Sequence, residues 1–522
     1  MQKKIDSRIA NNPTFETVKI KTEFNLGVLK TFIVALIILA QFVLLVVTGI
    51  HLTNVCKWLV IFSLVISIIF CIIELSSKQT GQTKATWILL MLITPTFGWI
   101  LFLLSNERVL FTFKKKKYQK IYNSSNILSG DVDCSNLSTD IKNDCKYLEN
   151  YGKFPTFSAS HLKYFSTGAS LYDSIIEDLK NAEKFIFLEY YIVSDGILLN
   201  RILDILEEKA KSGVDIRLIY DDMGSHGTLK YRTKKRMKKV GIKLHTFNKL
   251  VPLFNLALNL RDHRKIIVID GKIAYTGGAN LSDEYINEKR SHGYWKDSGI
   301  RLTGKCVSTF TLSILRQWEF LTNKHEDYRK YLDIYDNSST LKEENKICVP
   351  YVTGPDYEQK IAKDVYENLI ANAKEKLYIM TPYFIPDETI LGLLKNKAQC
   401  GVDVHIILPE IPDKSFVYLI TLDNAETLMK YGVHVHIMKN SFVHSKVVLS
   451  ENACVVGSIN MDQRSFYQQF ESAVYTNDLG VMEEVLADFN KCISRSNPHT
   501  IKKKGLIKTS LIYILRLVSP LM

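Results

Sequence analysis

Cysteine pairs of the CxxC kind are absent from this sequence of 522 residues. Its nine cysteines are scattered from Cys56 to Cys492, so neither a zinc-knuckle pattern nor an ordered disulfide framework is visible. A small-residue cleavage site of the A-x-A type is also absent after the first apolar run, which argues against a removable signal peptide. These absences favour a protein that works in the reducing cytoplasm over a secreted protein.

Charge is missing from three apolar runs near the start of the chain, at residues 31–50, 58–73 and 87–104. The first two runs approach the length that a membrane-spanning helix needs. The third carries Pro95 and Gly98 at its middle, where a helix would kink or turn back. We therefore predict a membrane anchor over residues 1–120 with two or three spans, with a hydrophobic core hairpin as the alternative.

Basic residues flank this anchor on both sides, and the whole chain carries a formal net charge of +13 with a pI near 9.0. Two spans and a re-entrant third run would leave both basic flanks in the cytoplasm, as the positive-inside rule prefers, whereas three spans would separate them. The charge favours an anionic partner, either nucleic acid or a membrane surface. Because a concentrated basic and aromatic stripe is lacking, we predict the membrane and no nucleic acid.

An α/β pattern begins near residue 154 and occurs twice, after a polar stretch over residues 121–153 that we interpret as a linker. KFIFLEYYIV from Lys184, a helical stretch and IRLIYDD are echoed by KLYIMTPYFI from Lys376, a helix and VHIILPE. Gly213 and Gly401 are 188 positions apart, and His263 and His444 are 181 apart. The repeat predicts two duplicated α/β domains, at 154–340 and 341–495, with mainly parallel sheets flanked by helices. Such domains can build one shared site at a pseudo-twofold axis.

The strongest signal is a histidine motif present in both copies. It consists of His263, Lys265, Asp270 and Asn280 in the first copy, and of His444, Lys446, Glu451, Ser458 and Asn460 in the second. In a strand, residues i and i+2 point to the same face, so each His and Lys would project together into one cleft. Lysine supplies positive charge for phosphate oxygens, Asn supplies amide donors, and His can attack or transfer protons near neutral pH.

These residues resemble the HxKxxxxD motif and the following GxxN signature of the phospholipase D superfamily, over residues 154 to about 494. Within this superfamily, the sequence is most similar to the cardiolipin synthase family. The segments that carry this likeness are FLEYYIVSDG from Phe187, RDHRKIIVIDGKIAYTGGANLSDEYI from Arg261, TPYFIP from Thr381 and GSINMDQRSF from Gly457. The resemblance implies two superfamily domains that join two phosphatidylglycerols into cardiolipin and release glycerol.

The resemblance also implies roles for individual residues. The catalytic set would be His263, Lys265, Asp270, His444, Lys446 and Glu451, and the phosphate-binding set would be Asn280, Ser458 and Asn460. His263 would be the nucleophile and His444 the acid and base. No metal or cofactor is implied, because the lysines and amides stabilise the charge. The substrate is an anionic phospholipid, and the sequence specifies no oligomeric state.

Three carboxylates leave alternatives open. Glu451 replaces the expected Asp in a turn shortened by one residue, so it either serves the same hydrogen-bond partner or is a plain hairpin residue. Asp297 follows His263 by 34 positions and Glu471 follows His444 by 27. The resemblance implies that these two carboxylates orient the histidine rings, but the sequence does not define which carboxylate contacts which histidine. The alternative is that both are charged residues at strand ends that face water.

Other functions compete with this interpretation. Another phosphatidyltransferase or a phospholipase would use the same motif pair with a different acceptor, a phosphatidylserine synthase being one example. A nuclease is opposed by the membrane anchor, and a catalytically silent scaffold is opposed by the intact His and Lys of both motifs.

The last segment, residues 496–522, is predicted to be a basic amphipathic tail. Leu511, Ile514, Leu515 and Val518 recur at helical spacing beside Lys508 and Arg516, in a stretch too short and too charged to span a membrane. The apolar stripe either lies in the membrane interface or docks on the protein core.

Overall fold

The structure is a computed structural model that describes most of the chain. The described residues are 54–77, 79–105, 107–132, 134–158, 161–249, 260–332, 346–501 and 504–519. The first predicted apolar segment, residues 31–50, lies outside them. The chain divides into two compact units, Met1–Ser77 with Trp87–Phe102 and Lys78–Thr86 with Leu103–Met522.

Helix α1 (Asn54–Leu75) covers the second predicted apolar segment. Within it, Lys57–Leu75 has 19 residues and a mean hydropathy of 2.7, which is enough by length and composition to cross a membrane. No other helix among the described residues meets the same criteria. A multi-pass anchor therefore stays a prediction.

The third predicted apolar segment bends at Pro95. Helix α2 (Gly81–Ile93) ends before this residue and helix α3 (Pro95–Ser105) begins on it, because a proline ring has no N–H and clashes with a preceding helical turn. Gly98 approaches α2 so closely that a Cβ atom there would lie 2.6 Å from the Cα of Met91. The predicted kink is confirmed, and no continuous helix runs through residues 87–104.

The second unit contains the remaining helices of the described residues. They are α4 (Glu107–Ser124), α5 (Thr139–Tyr147), α6 (Gly168–Lys180), α7 (Ile197–Lys211), α8 (Tyr231–Lys239), α9 (Val307–Thr322), α10 (Arg329–Leu332), α11 (Ile361–Asn372), α12 (Glu388–Gln399), α13 (Ser415–Met429), α14 (Gln463–Tyr467), α15 (Leu479–Ser494) and α16 (Leu506–Val518). Helix α7 buries Leu198, Leu199, Ile202, Leu203 and Leu206, one apolar face at helical spacing. Thr167, Asp387 and Asp478 cap the N-termini of α6, α12 and α15 by accepting a backbone N–H.

The strands also belong to this unit. Those of the first half are β1 (Phe157–Ser158), β2 (His161–Phe165), β3 (Phe185–Tyr190), β4 (Asp215–Asp221), β5 (Lys243–Phe247), β6 (Lys265–Ile269), β7 (Ile273–Gly277), β8 (Tyr294–Lys296) and β9 (Gly299–Thr303). Those of the second half are β10 (Ile347–Thr353), β11 (Lys376–Met380), β12 (Phe384–Ile385), β13 (Asp403–Pro409), β14 (His434–Met438), β15 (Ser441–Val443), β16 (Val447–Ser450), β17 (Cys454–Gly457), β18 (Met461–Asp462), β19 (Glu471–Thr476) and β20 (Ser496–Pro498).

The two large sheets repeat one strand order. The first runs β2-β9-β7-β6-β3-β4-β5, and the second runs β10-β19-β17-β16-β11-β13-β14 with β1 and β20 added at its edges. Each strand of the first sheet thus has a counterpart at the same place in the second. The predicted duplication of a mixed α/β domain is confirmed.

The prediction of mainly parallel sheets is wrong. In each sheet only two pairs are parallel, β3 with β4 and β4 with β5 in the first, and β11 with β13 and β13 with β14 in the second. The other neighbours are antiparallel, because the chain continues through tight hairpins such as β6–β7 and β16–β17 instead of through crossover helices. The strand, helix, strand units that the sequence reveals form only one side of each sheet.

The halves are joined through shared strands and a common core. Strand β1 precedes the first sheet in the chain yet pairs with β10 of the second, and β8 of the first half pairs with β15 of the second. One hydrophobic cluster contains Ile266 and Ile300 from the first sheet together with Val448 and Val474 from the second. The halves are therefore packed as one body within the second unit.

Residues 121–153, predicted as a polar linker, are largely folded. They contain the end of α4, helix α5 and a π-turn at Leu148–Gly152. The hydroxyl of Tyr475 donates to Asp144 of α5 at 2.9 Å, and the hydroxyl of Tyr147 donates to Asp364. This stretch packs against the second half.

Candidate active site

The two motif histidines occupy equivalent places in the two sheets. His263 lies two residues before β6 and His444 lies three residues before β16, the fourth strand of the shared order in each sheet. The backbone N–H of His263 donates to the carbonyl oxygen of Phe470 at 2.8 Å, and that of His444 donates to the carbonyl oxygen of Lys296 at 2.7 Å. Each bond crosses between the halves, so the sheets meet where the histidines lie.

The carboxylates pair with the histidines across the halves. Nδ1 of His263 lies 2.9 Å from Oε2 of Glu471, and Nδ1 of His444 lies 2.7 Å from Oδ2 of Asp297. Each imidazole is therefore contacted by a carboxylate that belongs to the other half. A carboxylate on Nδ1 fixes the ring orientation and the tautomer, which leaves Nε2 for chemistry. The structure thus brings together the four residues whose pairing the sequence left open.

Glu471 is held by two hydroxyls. Ser458 donates to Oε2 at 2.5 Å and Ser465 donates to Oε1 at 2.7 Å, and the Glu471 side chain is fully buried. The structure therefore places Ser458, predicted to bind phosphate, on the carboxylate that contacts His263. The equivalent residue of the first half is Gly278, where a Cβ atom would lie 2.1 Å from Oδ1 of Asp297. A serine side chain has no room there.

Burial penalises charge on the first histidine pair. It raises the pKa of Glu471 to about 8, with Lys265 acting in the opposite direction, and it lowers the pKa of His263 well below its ordinary value. Both shifts favour the neutral form of each group. Nε2 of His263 can attack when the carboxyl of Glu471 is ionised and accepts the N–H of Nδ1, and the charge of Lys265 favours that form.

The second histidine is similarly affected. Burial and the charge of Lys446 lower the pKa of His444 to about 4, and Asp297 opposes this shift. Three aromatic rings enclose the imidazole, with centroid distances of 5.3 Å to Tyr285, 5.4 Å to Trp295 and 5.7 Å to Phe442. A negative ligand beside this ring would offset the lysine charge and raise its pKa.

The motif lysines lie within the same cluster. Lys265 donates to the carbonyl oxygen of His263 at 2.5 Å, and Lys446 donates to the carbonyl oxygen of His444. Both side chains are buried, which lowers the pKa of Lys265 to about 7 and that of Lys446 to about 8. These two ammonium groups are available to an anionic ligand at neutral or lower pH.

A cavity of about 290 Å³ opens onto both imidazoles. Asn280 and Asn460, the two amides predicted to bind phosphate, line it. Asn280 already donates to the hydroxyl of Tyr285 at 2.5 Å and accepts the N–H of Ile192 at 3.0 Å. The buried Oδ1 of Asn460 has no hydrogen-bond partner among the described residues.

The remaining walls were missed by the sequence analysis. Tyr191 packs 5.0 Å from the His263 ring, and Tyr383, Asp413 and Arg464 also line the cavity. The hydroxyl of Tyr383 donates to Asp413. Tyr191, Tyr383 and Arg464 lie in the segments that resemble the family. Their spacing in the sequence does not indicate that they face the histidines.

Asp270 and Glu451 are not brought into this cluster. Asp270 accepts the N–H groups of Glu183, Lys184 and Phe185 at 2.7–2.8 Å, at the end of β6 that is remote from the histidine. Glu451 accepts the N–H groups of Lys374 and Lys376 at 2.7 and 3.3 Å. Both carboxylates hold the beginning of the neighbouring strand, β3 or β11.

Metal ligation has no obvious location in the part of the chain that the structure describes. No group of three or more His, Cys, Asp or Glu side chains there has an arrangement that would hold a metal ion. The charged side chains that line the cavity include Asp413, Lys414, Asp462 and Arg464. The arrangement of the site is suited to an attack by one imidazole on a phosphorus atom and to proton transfer by the other.

Comparison with known proteins agrees with this geometry. Residues 175–300 and 366–493 match the family described as "Cardiolipin synthase, PLD-like domain". The chain is 32% identical to cardiolipin synthase 2 of Staphylococcus epidermidis over 89% of this chain and 98% of that protein, and 34% identical to a cardiolipin synthase of Staphylococcus aureus over 80% and 86%. The fold is similar to a phosphatidylserine synthase of Haemophilus influenzae, with a TM-score of 0.57, 16% identity and coverage of 73% of this chain and 100% of that one. On this evidence, the chain belongs to the cardiolipin synthase family of the phospholipase D superfamily.

Proposed function

We propose that this protein is a cardiolipin synthase, which transfers a phosphatidyl group from one phosphatidylglycerol to another and releases glycerol. The observation that carries the proposal is the pair of crossed histidine–carboxylate contacts that face one cavity. In a double displacement at phosphorus, one imidazole with a fixed tautomer can attack the phosphorus atom while the other transfers protons to the leaving group and from the acceptor. The family membership supplies the lipid class.

In the first step, Nε2 of His263 attacks the phosphorus of the donor phosphatidylglycerol, and the bond from phosphorus to the glycerol oxygen breaks. Nε2 of His444 gives its proton to that oxygen, so glycerol leaves neutral. The bound phosphodiester is negative and raises the pKa of His444 from its low value, which makes the protonated ring available. The product of this step is a phosphatidyl group on His263.

In the second step, His444 is neutral and takes a proton from a hydroxyl of the second phosphatidylglycerol. The resulting oxygen attacks phosphorus, the phosphorus–nitrogen bond breaks, and cardiolipin forms. Glu471 holds the proton at Nδ1 of His263 throughout, so the ring leaves as a neutral imidazole. The assignment of His263 as the nucleophile rests on the family resemblance, since the two histidines have equivalent surroundings.

Charge on the phosphoryl oxygens is balanced by Lys265, Lys446 and Asn460. The two ammonium groups contact the backbone carbonyls of the histidines, and their charges act on both imidazoles. Asn460 lines the cavity and can present its Nδ2 donor to a phosphoryl oxygen. Electrostatic stabilisation of this kind is usually the largest contribution to catalysis, and it requires no cofactor.

We infer that residues 1–120 anchor the protein in the cell membrane and that domains 154–340 and 341–495 face the cytoplasm. The inference is supported by the apolar helix Lys57–Leu75, by the two further charge-free runs, and by the basic residues on both flanks. An anionic phospholipid in that membrane is the partner that the active site requires. Nucleic acid has no role in this proposal.

The test is incubation of the purified protein with phosphatidylglycerol alone, followed by mass analysis of the lipids and by measurement of free glycerol. Cardiolipin and glycerol in equal amounts are expected, and the His263→Asn variant should form neither. Phosphatidic acid without cardiolipin would identify a phospholipase instead. Turnover only after a different alcohol is added would identify another phosphatidyltransferase.

A further inference from the structure

The C-terminal helix α16 exposes an unusually apolar face. The exposed fractions are 85% for Leu506, 87% for Ile507, 65% for Tyr513 and 63% for Ile514, and Leu511 and Leu517 lie on the same side. At 100° per residue these positions fall within one arc of about 160°. Six large apolar side chains on one short helix form a patch that water solvates poorly.

The opposite face of α16 is fixed to the protein. Lys504 contacts Asp423 at 2.5 Å and Glu426 at 2.6 Å, and Arg516 contacts Asp423 at 2.5 Å. Leu515 packs on Val417 and Ile420 of α13 and on Ile385. The predicted stripe is thus divided, since Leu515 faces the protein while Leu511 and Ile514 face outward; the side chain of Val518 is outside the description.

The helix also adjoins the active-site cavity. Ser519, directly after α16, lines the cavity, and so do Ile385 and Val417 beneath Leu515. Gln82 donates to the hydroxyl of Ser519 at 3.1 Å and accepts the side-chain N–H of the cavity residue Gln463 at 2.9 Å. The end of α16 is therefore part of the cavity wall.

The same contacts place α16 next to the start of an apolar segment. The hydroxyl of Thr86 donates to the carbonyl oxygen of Leu517 at 2.5 Å. In the sequence, Thr86 is followed directly by the charge-free run at residues 87–104. A helix bound at the polar beginning of a membrane segment is expected at the level of the headgroups.

We propose that α16 lies in the membrane interface with its exposed face inserted among the lipids, and that it forms the lip over which phosphatidylglycerol enters the cavity. The occupant of this face is a bilayer that contains anionic lipid, since Lys508 is exposed on α16 and Lys502 and Lys503 precede it in the sequence. The part played in lipid entry rests on the proposed function. The membrane contact itself does not.

The contact is tested with the full chain in vesicles of phosphatidylglycerol and phosphatidylcholine that carry bromine on the acyl chains. Bromine quenches nearby tryptophan, so the Tyr513→Trp variant should lose more fluorescence than the wild type, which already has five tryptophans. Leu479→Trp is the matched control, because Leu479 is 64% exposed at the start of α15. Equal quenching of the two variants would overturn the proposal, whether or not the protein makes cardiolipin.

The role in lipid entry is tested by Ile514→Asp, with Leu479→Asp as the control of nearly equal exposure. A charge in the interface should lower activity on vesicles about tenfold while activity on detergent-dispersed lipid is kept. Leu479→Asp should change neither. An equal loss of both activities, no loss of either, or a change of oligomeric state with Ile514→Asp would overturn the proposal, the last by identifying a second copy of the chain as the occupant.

Discussion

His263 and His444 share three kinds of neighbour, although their proposed roles differ. Each has a buried carboxylate at Nδ1, a lysine on its own carbonyl oxygen and an aromatic ring within about 5 Å. The proposed chemistry breaks this symmetry, because in it one ring becomes covalently bound and the other moves protons.

The first prediction separates the two roles. With a donor labelled in the phosphatidyl group and carrying p-nitrophenol as its headgroup, a leaving group that needs no proton from His444, the His444→Asn variant should accumulate label on the protein, because attack can occur while deprotonation of the acceptor is slow. The His263→Asn variant should carry no label, and both should lose at least about a thousandfold in kcat. Label found on His263→Asn but not on His444→Asn would reverse the assignment.

The second prediction concerns pH. Lys265 and Lys446, with pKa values of about 7 and about 8, lose their protons as the pH rises through that window. Affinity for the negative phosphodiester should be present below it and should fall across it, so KM for phosphatidylglycerol should rise. Competitive inhibition by sulfate, whose charge is constant in this window, should weaken in parallel. A sulfate inhibition constant that does not change would contradict the role of the lysines.

At the scale of single residues, the motif predicts which residues belong to the site better than it predicts which of them contact each other. His, Lys and Asn of both copies lie at the cavity or beside the histidines, because the motifs stand at or just before the start of β6 and β16 and just after β7 and β17, where the halves meet. The crossed pairing with Glu471 and Asp297 was beyond the sequence, since it joins residues of different halves. Ser458 and Gly278 stand at the same motif position, yet only one has room for a side chain, and that depends on how closely the other half approaches.

The hairpins after β6 and β16 differ in length and in their acidic residue, yet both acidic residues accept backbone N–H groups at the start of the neighbouring strand. Asp270 and Gly271 both have positive φ, as the turn between antiparallel strands β6 and β7 requires. An Asp-Gly pair between two apolar strands indicates a β-hairpin, so this pair in the sequence predicts that β6 and β7 are antiparallel. In the second copy a longer Glu451 side chain reaches the same N–H groups from a shorter turn.

The third prediction follows from these hydrogen bonds. Glu451→Ala removes the acceptor of two backbone N–H groups far from the histidines, and Asp270→Ala removes the acceptor of three. Each should lower the thermal midpoint by about 2–4 °C, with the larger effect for Asp270, while the folded enzyme retains most of its kcat. His263→Ala and Lys265→Ala should show the opposite pattern. Loss of kcat at Glu451 equal to that at His263, with folding intact, would give Glu451 a catalytic part.

For the whole molecule, the fourth prediction addresses orientation. Lys120 lies in α4, where Tyr118 stacks on Phe320 of the catalytic unit at a centroid distance of 3.8 Å. A reporter that is active only in the periplasm, fused after Lys120, should be inactive because the catalytic domain is proposed to face the cytoplasm. A reporter that works only in the cytoplasm is the control and should be active at the same junction. The reverse result would place the domain outside.

The crossed contacts have a genetic consequence. His263 and Glu471 are 208 positions apart and His444 and Asp297 are 147 apart, yet each pair acts as one unit. A lesion that loosens the second sheet removes the carboxylate that contacts the first histidine, so a substitution in one half is expected to impair the imidazole that lies in the other. Exchange of one half for that of a relative is expected to preserve activity only if the exchanged half brings the matching carboxylate to the same place.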